Sequence, residues 1–369
     1  MAHLFDLSWR KGELQDRVGD MSQIAYARPC VLTEGKAKGV SAIDFNTGSG
    51  LRFTVIPDRG LDISQADYAG KSLCWRSATG EVAPAFFEPQ GLGWLNGFFG
   101  GLLTTCGLTY LGAPCVDEGE PLGLHGRVDY IPAQEVAIYT GWEGDEYVVG
   151  VKGKIVEVSA FGPHLVLKRS IYAFAGEERL FIRDEVVNQG NAPTPHMMLY
   201  HINVGFPVLD SDSRFLAPSL AVTPRDREAE KGIESYDRAI PPTDGFAEQV
   251  FYHDLAALKD KTMAGVVNPA IGFGLYVAYR KRQLPYLVQW KMMGKGAYVM
   301  GLEPSTNYVG GRAGERAAGR LRTLKPGESA IYDLEIGVLP AREDILGFEK
   351  GVKALLGRRK TKFLKASDT

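Results

Sequence analysis

Between residues 40 and 339, the chain consists of short apolar or alternating segments separated by glycine, proline, asparagine and aspartate. This pattern is typical of antiparallel β-strands joined by tight turns. Residues 165–172 and 179–187 predict two such strands, and segment 176–178, which begins with glycine, predicts the turn between them. The sequence therefore predicts a mainly β protein, a large antiparallel β-sandwich with few short helices.

The periodicity changes near the end of the chain. Residues 331–338 partly alternate and predict a last strand. After them Ile345, Phe348, Val352 and Leu355 recur at the spacing of one helical face. We therefore predict an amphipathic helix from about residue 342 to residue 356, laid against the sandwich.

No repeat, low-complexity linker or change of composition divides the chain before that helix. Residues 1–340 are therefore interpreted as a single β-sandwich domain. Residues 341–369 are interpreted as the C-terminal amphipathic helix and a tail whose tip is disordered.

The 369 residues are 45% hydrophobic and 23% charged, with a formal net charge of -2, which is ordinary for a soluble globular protein. Lysine and arginine are scattered, so there is no electrostatic footprint for nucleic acid. No run approaches the roughly 18 apolar residues of a membrane helix, and the first residues lack the pattern of a secretory signal. We expect a cytoplasmic protein without nucleic-acid or membrane partners.

Neither the cysteines nor the glycines indicate a cofactor. Cys30, Cys74, Cys106 and Cys115 are irregularly spaced without a CxxC pair, which favours buried free thiols over a metal site or disulfide. The glycine-rich segment 91–101 contains neither of the common phosphate-binding patterns. It predicts close backbone packing or a loop at the rim of a pocket, and no cofactor is predicted.

His201 and Glu303 are the strongest candidates for chemistry, because each lies between apolar residues in a predicted strand region. An imidazole and a carboxylate suggest a general acid and a general base on opposite sides of one substrate. Glu303 follows the apolar run 298–302 and precedes Pro304, so partial desolvation should raise its pKa. A salt-bridged glutamate and a structural histidine remain the alternatives.

Two further residues are candidates for binding. His125 is followed by Gly126, which would let a ligand approach the backbone. Arg59 lies in a turn-like segment between apolar runs, where its guanidinium could fork onto hydroxyl groups or a carboxylate. Pairing with Asp58 or Asp62 explains Arg59 equally well.

Four short motifs occur in an order that resembles the galactose mutarotase, or aldose 1-epimerase, superfamily, over about residues 40–340. They are Asp58-Arg59-Gly60, Leu124-His125-Gly126, Tyr200-His201-Ile202-Asn203 after an Asn-Gln-Gly turn, and Leu302-Glu303-Pro304. The resemblance implies a galactose mutarotase-like supersandwich whose concave face holds a sugar. It also implies His201 as general acid, Glu303 as general base, and His125 and Arg59 as substrate contacts.

The sequence that follows His201 differs from that of the better-known mutarotases, which places the chain in a divergent branch. Further candidates for sugar binding are Asp244, Trp290, Lys291 and Arg127. Asp244 lies in a Pro-Thr-Asp-Gly turn that has its own use for aspartate. Trp290 could be a stacking platform with the charge of Lys291 beside it, or simply a core residue.

The predicted function is that of an aldose 1-epimerase-like isomerase acting on a monosaccharide or derivative. An epimerase or isomerase of an acidic, oxidised or phosphorylated sugar is one alternative, with Arg59, Arg127, Lys291 and Arg312 as candidates for an anion clamp. A non-catalytic carbohydrate-binding protein is another, because fold resemblance does not establish activity.

Two further alternatives concern partners of the protein. A divalent metal shared by His125, His201 and Glu303 is compatible with a known ligand set, although no metal is predicted. Edge strands could support a homodimer, but no interface is indicated.

Overall fold

The computed structural model describes residues 2–366 and is built mainly from strands that pair antiparallel. They form three larger sheets and two short two-stranded hairpins. This confirms the predicted mainly β, antiparallel architecture. Residues 367–369, at the end of the tail whose tip is predicted to be disordered, lie outside the described residues.

The strands of the described chain are numbered in sequence order. They are β1 (Ala2–Leu4), β2 (Leu7–Trp9), β3 (Tyr26–Val31), β4 (Ser41–Asn46), β5 (Leu51–Ile56), β6 (Asp62–Tyr68), β7 (Lys71–Ser72), β8 (Thr104–Leu108), β9 (Cys115–Asp117), β10 (Glu120–Leu122), β11 (Gln134–Glu143), β12 (Glu146–Val158) and β13 (His164–Phe174). The remaining strands are β14 (Arg179–Asn188), β15 (Thr194–Val204), β16 (Arg214–Leu216), β17 (Ser219–Pro224), β18 (Gln249–Leu255), β19 (Lys261–Asn268), β20 (Phe273–Arg280), β21 (Tyr286–Gly294), β22 (Ala297–Ser305), β23 (Arg322–Leu324), β24 (Ser329–Leu339) and β25 (Lys362–Phe363).

Helices are few and mostly short. The α-helices are α1 (Lys11–Gln15), α2 (Arg227–Lys231), α3 (Arg312–Ala317) and α4 (Arg342–Leu356). Single turns of 3-10 helix lie at Met21–Gln23, Gly35–Ala37, Pro84–Phe86, Gly93–Gly97, Val128–Tyr130 and Ile233–Ser235.

Two large sheets form the sandwich. Sheet I has the strand order β11-β12-β13-β14-β24-β20-β19-β16. Sheet II has the order β23-β15-β22-β21-β18-β17-β25, and β8 also pairs with β15. A third sheet, sheet III, has the order β3-β4-β5-β6-β7. The strands predicted at 165–172, 179–187 and 331–338 correspond to β13, β14 and β24, all in sheet I.

The main hydrophobic core contains residues from both large sheets. Leu167 and Ile171 of β13 belong to the same buried cluster as Tyr200 and Ile202 of β15. Because side chains alternate across a strand, each sheet contributes every second residue to this core.

Strand β15 is buried on both faces, and this positions the site. Its alternate residues Met197 and Leu199 belong to a second buried cluster, which also contains Trp94 and Phe98. Residues from the chain between β7 and β11 therefore cover the face of sheet II that points away from the main core. His201 continues the parity of Met197 and Leu199 and projects from this covered face.

The predicted C-terminal helix is present as α4 over Arg342–Leu356. Its residues Ile345, Phe348 and Val352 pack with Val267 and Leu339 of sheet I. Within residues 2–366, no helix is both long enough and apolar enough to cross a membrane.

Candidate active site

His201 and Glu303 form a cross-strand pair. Strands β15 and β22 are antiparallel neighbours whose register aligns Ile202 with Leu302 and Asn203 with Gly301. In this register His201 lies opposite Glu303, so both side chains project from one face of sheet II. His201 Nε2 is 3.4 Å from Glu303 Oε1.

This distance corrects the predicted geometry of the acid and the base. The sequence predicted that they lie on opposite sides of a substrate. Two atoms 3.4 Å apart, close to hydrogen-bonding range, leave no room for a sugar ring between them. His201 and Glu303 therefore form one composite group on a single side of the cavity.

Gly301 makes room for the carboxylate of Glu303. A Cβ atom at residue 301 would lie 2.2 Å from Glu303 Oε1 and 3.0 Å from Trp290 Cβ. The first distance is well inside van der Waals contact, so any larger residue at 301 would displace the carboxylate.

Burial dominates the electrostatics of the pair. Loss of solvent raises the pKa of Glu303 well above its usual value, with a smaller upward effect from Glu248 that Arg225 opposes. Burial, with a smaller contribution from His125, lowers the pKa of His201 to about 3. Both shifts favour uncharged forms, a carboxylic acid beside a neutral imidazole.

His125 contributes a second imidazole to the same cavity. Its φ of 58° is in the left-handed region. Two backbone hydrogen bonds hold this strained conformation: the N–H of His125 donates to the carbonyl of Gly112, and the carbonyl of His125 accepts from the N–H of Gly107. Its ring centroid is 5.8 Å from that of His201 and 4.8 Å from that of Trp94. Burial lowers the pKa of His125 to about 4, so this ring is also neutral.

Three buried polar atoms of these residues have no hydrogen-bond partner in the described chain. They are His125 Nδ1, His201 Nδ1 and Glu303 Oε1. Nearly all buried polar atoms in proteins are paired, and unpaired ones need an explanation. Because all three residues line one cavity, polar groups of a ligand are the partners that this arrangement suggests.

The cavity has a volume of about 580 Å³, within the usual range for small-molecule sites. Trp75, Trp94, Phe98 and Trp290 give it aromatic walls. The ring centroid of His201 is 5.3 Å from that of Phe98 and 5.4 Å from that of Trp290. Apolar walls with a few convergent polar groups are typical of a binding site for a small organic molecule.

Sequence reasoning missed two charged residues that line this cavity, Arg225 and Glu248. Arg225 Nη2 is 3.0 Å from Glu248 Oε1, and the indole N–H of Trp290 donates to Glu248 Oε2 at 2.8 Å. In the sequence both residues lie beside strand ends, where charged residues are ordinary. Only the pairing of β17, β18 and β21 brings them together with Trp290.

Arg59 does not line the cavity, which corrects its predicted contact with substrate. Its side chain is fully buried and donates to the carbonyls of Asp129, Val82 and Gly97 and to the carboxylate of Asp129. The same carboxylate accepts the indole N–H of Trp94 at 3.0 Å. Arg59 therefore acts through Asp129, which in turn holds Trp94 in the wall of the cavity.

Trp290 and Lys291 are adjacent on β21 and project from opposite faces. Trp290 lines the cavity, and its role as a stacking platform stays a prediction. Lys291 is 2% exposed and its Nζ donates to the carbonyl of Ser235 at 2.8 Å. Alternation along a strand therefore removes Lys291 from the predicted set of substrate contacts.

Asp244 and Arg127 also lie outside the cavity lining. The exposed carboxylate of Asp244 forms an ion pair with Lys295 at 2.6 Å. The guanidinium of Arg127 lies over the ring of Tyr110, 5.3 Å from its centroid. Their predicted roles as direct substrate contacts are corrected accordingly.

The predicted anion clamp is likewise not assembled. Arg312 is buried and paired with Asp117 and Glu120, both at 2.6 Å. Arg59, Arg127 and Lys291 lie outside the cavity as described above. Within residues 2–366, no group of three His, Cys, Asp or Glu side chains has the geometry to hold a metal ion.

Comparison with known proteins agrees with this architecture. A family model described as a domain of unknown function, DUF4432, matches residues 37–338. No match was found among curated proteins. A provisionally named aldose 1-epimerase from Klebsiella pneumoniae subsp. pneumoniae is 29% identical, with a TM-score of 0.89 over 93% of this chain and 91% of that chain.

More distant structures share the fold. A galactose mutarotase-like protein from Clostridium acetobutylicum is 16% identical, with a TM-score of 0.59 over 86% of this chain and 99% of that one. Galactose 1-epimerase from Lactobacillus acidophilus is 12% identical, with a TM-score of 0.54 over 85% and 98% of the two chains. These likenesses confirm the resemblance inferred from the four motifs, and the chain belongs to the DUF4432 family and has the galactose mutarotase-like fold.

Proposed function

We propose that the protein is an aldose 1-epimerase that interconverts the anomers of a reducing sugar. The observation that carries the proposal is the 3.4 Å contact between His201 Nε2 and Glu303 Oε1 inside an aromatic-walled cavity. The names of the Klebsiella and Lactobacillus proteins, which share the fold, also support this reaction class.

The reaction needs one proton removed and one supplied. Ring opening breaks the bond between the anomeric carbon and the ring oxygen, while the anomeric hydroxyl loses its proton and the ring oxygen gains one. Both oxygens are bonded to the same carbon. An acid and a base that are adjacent on one side of the sugar can therefore serve both oxygens.

The uncharged resting pair gives each residue a role. Glu303, as a carboxylic acid, donates its proton to the ring oxygen, while His201 Nε2 accepts the proton of the anomeric hydroxyl. The open-chain aldehyde then rotates about its C1–C2 bond. On closure His201 returns a proton to the carbonyl oxygen and Glu303 recovers one from the ring-closing hydroxyl. These starting roles are the reverse of those that the family resemblance implies.

The residues that line the cavity favour a neutral sugar over an anionic one. The aromatic walls suit the C–H faces of a pyranose ring, and His125 Nδ1 is available for a hydroxyl group. The only arginine or lysine among the described cavity-lining residues is Arg225, which is paired with Glu248 and Asp226. An anionic sugar would find no unpaired cation.

Proton NMR of freshly dissolved α-anomers tests the proposal. The protein should speed the approach to anomeric equilibrium for at least one reducing sugar. His201→Asn and Glu303→Gln should each lower this rate by about 10²- to 10⁴-fold, the usual contribution of a general acid or base. Both variants should remain folded, because the substitutions preserve approximate size.

His253→Asn is a matched control, because His253 is also a buried histidine of sheet II. Its side chain lies on the opposite face of β18 from Val250 and Tyr252, which belong to the buried cluster of Trp94 and Phe98. It should retain the wild-type rate. Wild-type rates in His201→Asn or Glu303→Gln would remove these residues from the mechanism. Sugar binding without any change in anomerisation rate would establish the alternative of a non-catalytic binding protein.

A further inference from the structure

The cavity extends across five neighbouring strands of sheet II. His201 lies on β15, Glu303 on β22 and Trp290 on β21, while Glu248 directly precedes β18 and Arg225 directly follows β17. These strands are consecutive hydrogen-bonded neighbours. Since neighbouring strands are about 4.8 Å apart, the backbones of β15 and β17 are separated by about 19 Å across the sheet.

One sugar ring does not fill the cavity, whose volume of about 580 Å³ lies in the range of sites that hold drug-sized molecules. A ring whose anomeric centre contacts His201 and Glu303 lies over β15 and β22 and leaves free the end that Arg225 and Glu248 line, beyond Trp290. The chemistry of that free end indicates what else the cavity accepts.

The free end carries a fixed carboxylate. Glu248 receives the indole N–H of Trp290 on one oxygen and the guanidinium of Arg225 on the other. Arg225 is itself held by Asp226 through a 2.7 Å hydrogen bond. The side chains of Arg225 and Glu248 are 31% and 47% exposed, so both remain accessible from the open side of the cavity.

An exposed arginine–glutamate pair by itself contributes little to stability and often has no further role. Here a third residue indicates a further role, because the indole N–H of Trp290 also holds the carboxylate of Glu248 and all three side chains line the cavity. Trp290 also connects the two ends, since its ring is 5.4 Å from the ring of His201. The aromatic face between the ends is a platform on which a sugar ring can stack.

The charge of this end selects against an anion and in favour of hydroxyl groups. One guanidinium is shared by two carboxylates, Glu248 and Asp226, so no positive charge is left over. A carboxylate accepts hydrogen bonds from adjacent hydroxyls, and the guanidinium donates to their oxygens. A second pyranose ring offers both groups together with an apolar face for the indole.

We propose that Arg225, Glu248 and Trp290 form a second sugar subsite, and that the substrate is a reducing disaccharide. Its reducing ring lies at His201 and Glu303, and its other ring lies against Trp290 within reach of Glu248 and Arg225. This inference rests on the proposed function, because it uses the same catalytic pair to define the first subsite.

The test compares kcat/KM for anomerisation of maltose, cellobiose and lactose with that of glucose. At least one disaccharide should exceed glucose about tenfold or more. Arg225→Ala and Glu248→Ala should each lower the disaccharide-to-glucose ratio about tenfold, which is the effect of losing a hydrogen bond to a charged group. Arg227→Ala and Glu230→Ala, which alter exposed charges of helix α2 nearby, should leave the ratio unchanged.

A wild-type ratio at or below one for all three disaccharides would overturn the second subsite, and so would a ratio that Arg225→Ala and Glu248→Ala leave unchanged. Binding measured by tryptophan fluorescence in Glu303→Gln separates this inference from the proposed function. If the wild-type protein converts no sugar but Glu303→Gln binds a disaccharide more tightly than glucose, and Glu248→Ala abolishes that preference, the subsite stands and the catalytic proposal fails. Conversion of glucose without any preference for disaccharides leaves the catalytic proposal standing and removes the subsite.

Discussion

Replacing Gly301 with alanine should inactivate the protein without unfolding it. The new Cβ atom would lie 2.2 Å from Glu303 Oε1, whereas ordinary contact begins at about 3.4 Å. The carboxylate must therefore move by at least about 1.2 Å. It is the end of a flexible side chain, so it should yield before the backbone of β22 does.

The expected loss of rate follows from this displacement. A shift of about 1 Å in a catalytic group can cost on the order of 10²-fold in rate. That factor corresponds to about 2.7 kcal/mol in the activation barrier. The free energy of unfolding should change by less than about 1 kcal/mol, because removing a flexible glycine from a strand offsets part of the added crowding.

Anomerisation followed by NMR or polarimetry gives the rate, and chemical denaturation gives the free energy of unfolding. Gly141→Ala is a suitable control, because a Cβ at this glycine of β11, in sheet I, would meet no atom within 4 Å. This control should keep both the rate and the stability of the wild-type protein.

A double variant tests whether the carboxylate transmits the effect. In the Glu303→Gln background, the Gly301→Ala substitution should cost little further rate, because both changes disable one group. A Gly301→Ala variant that is folded and as fast as the wild type would refute the reasoning. Fully additive losses would show that Gly301 acts through something other than Glu303.

Three further predictions concern protonation and the buried arginine. The rate of anomerisation should fall below about pH 3, where His201 gains a proton. It should persist to a pH well above 4.5, because burial raises the pKa at which Glu303 loses its proton. A rate that falls as pH drops through 6.5 would contradict a buried neutral imidazole. Because the pKa of His201 is lowered from 6.5 to about 3 on folding, its contribution to stability is present above pH 6.5 and is lost towards pH 3. His201→Asn should therefore lose less stability than the wild type between pH 7 and pH 5, by up to about 1.4 kcal/mol per pH unit below 6.5, and parallel denaturation midpoints would argue against this. Arg59→Ala should lower the free energy of unfolding by about 3–5 kcal/mol, since it leaves the buried Asp129 unpaired; a changed KM at unchanged stability would restore Arg59 as a substrate contact.

The sequence by itself determined the class of fold and singled out His201 and Glu303. Alternation of apolar and polar residues is a local property, and it predicted β13, β14 and β24 and the helix α4 close to their observed bounds. His201 and Glu303 were recognisable because polar residues inside apolar strands are unusual. The order of four short motifs was enough to indicate the mutarotase-like fold.

Only the tertiary structure decided which side chains meet. Arg59 and Lys291 were themselves predicted to contact the substrate, yet their side chains enter the protein interior, away from the cavity. Arg225 and Glu248 appear unremarkable in sequence, yet strand pairing brings them to Trp290. The 3.4 Å contact of His201 with Glu303 depends on the register of two strands about a hundred residues apart. Local patterns carry no information on which strands become neighbours or in what register, because those choices depend on packing of the whole sandwich.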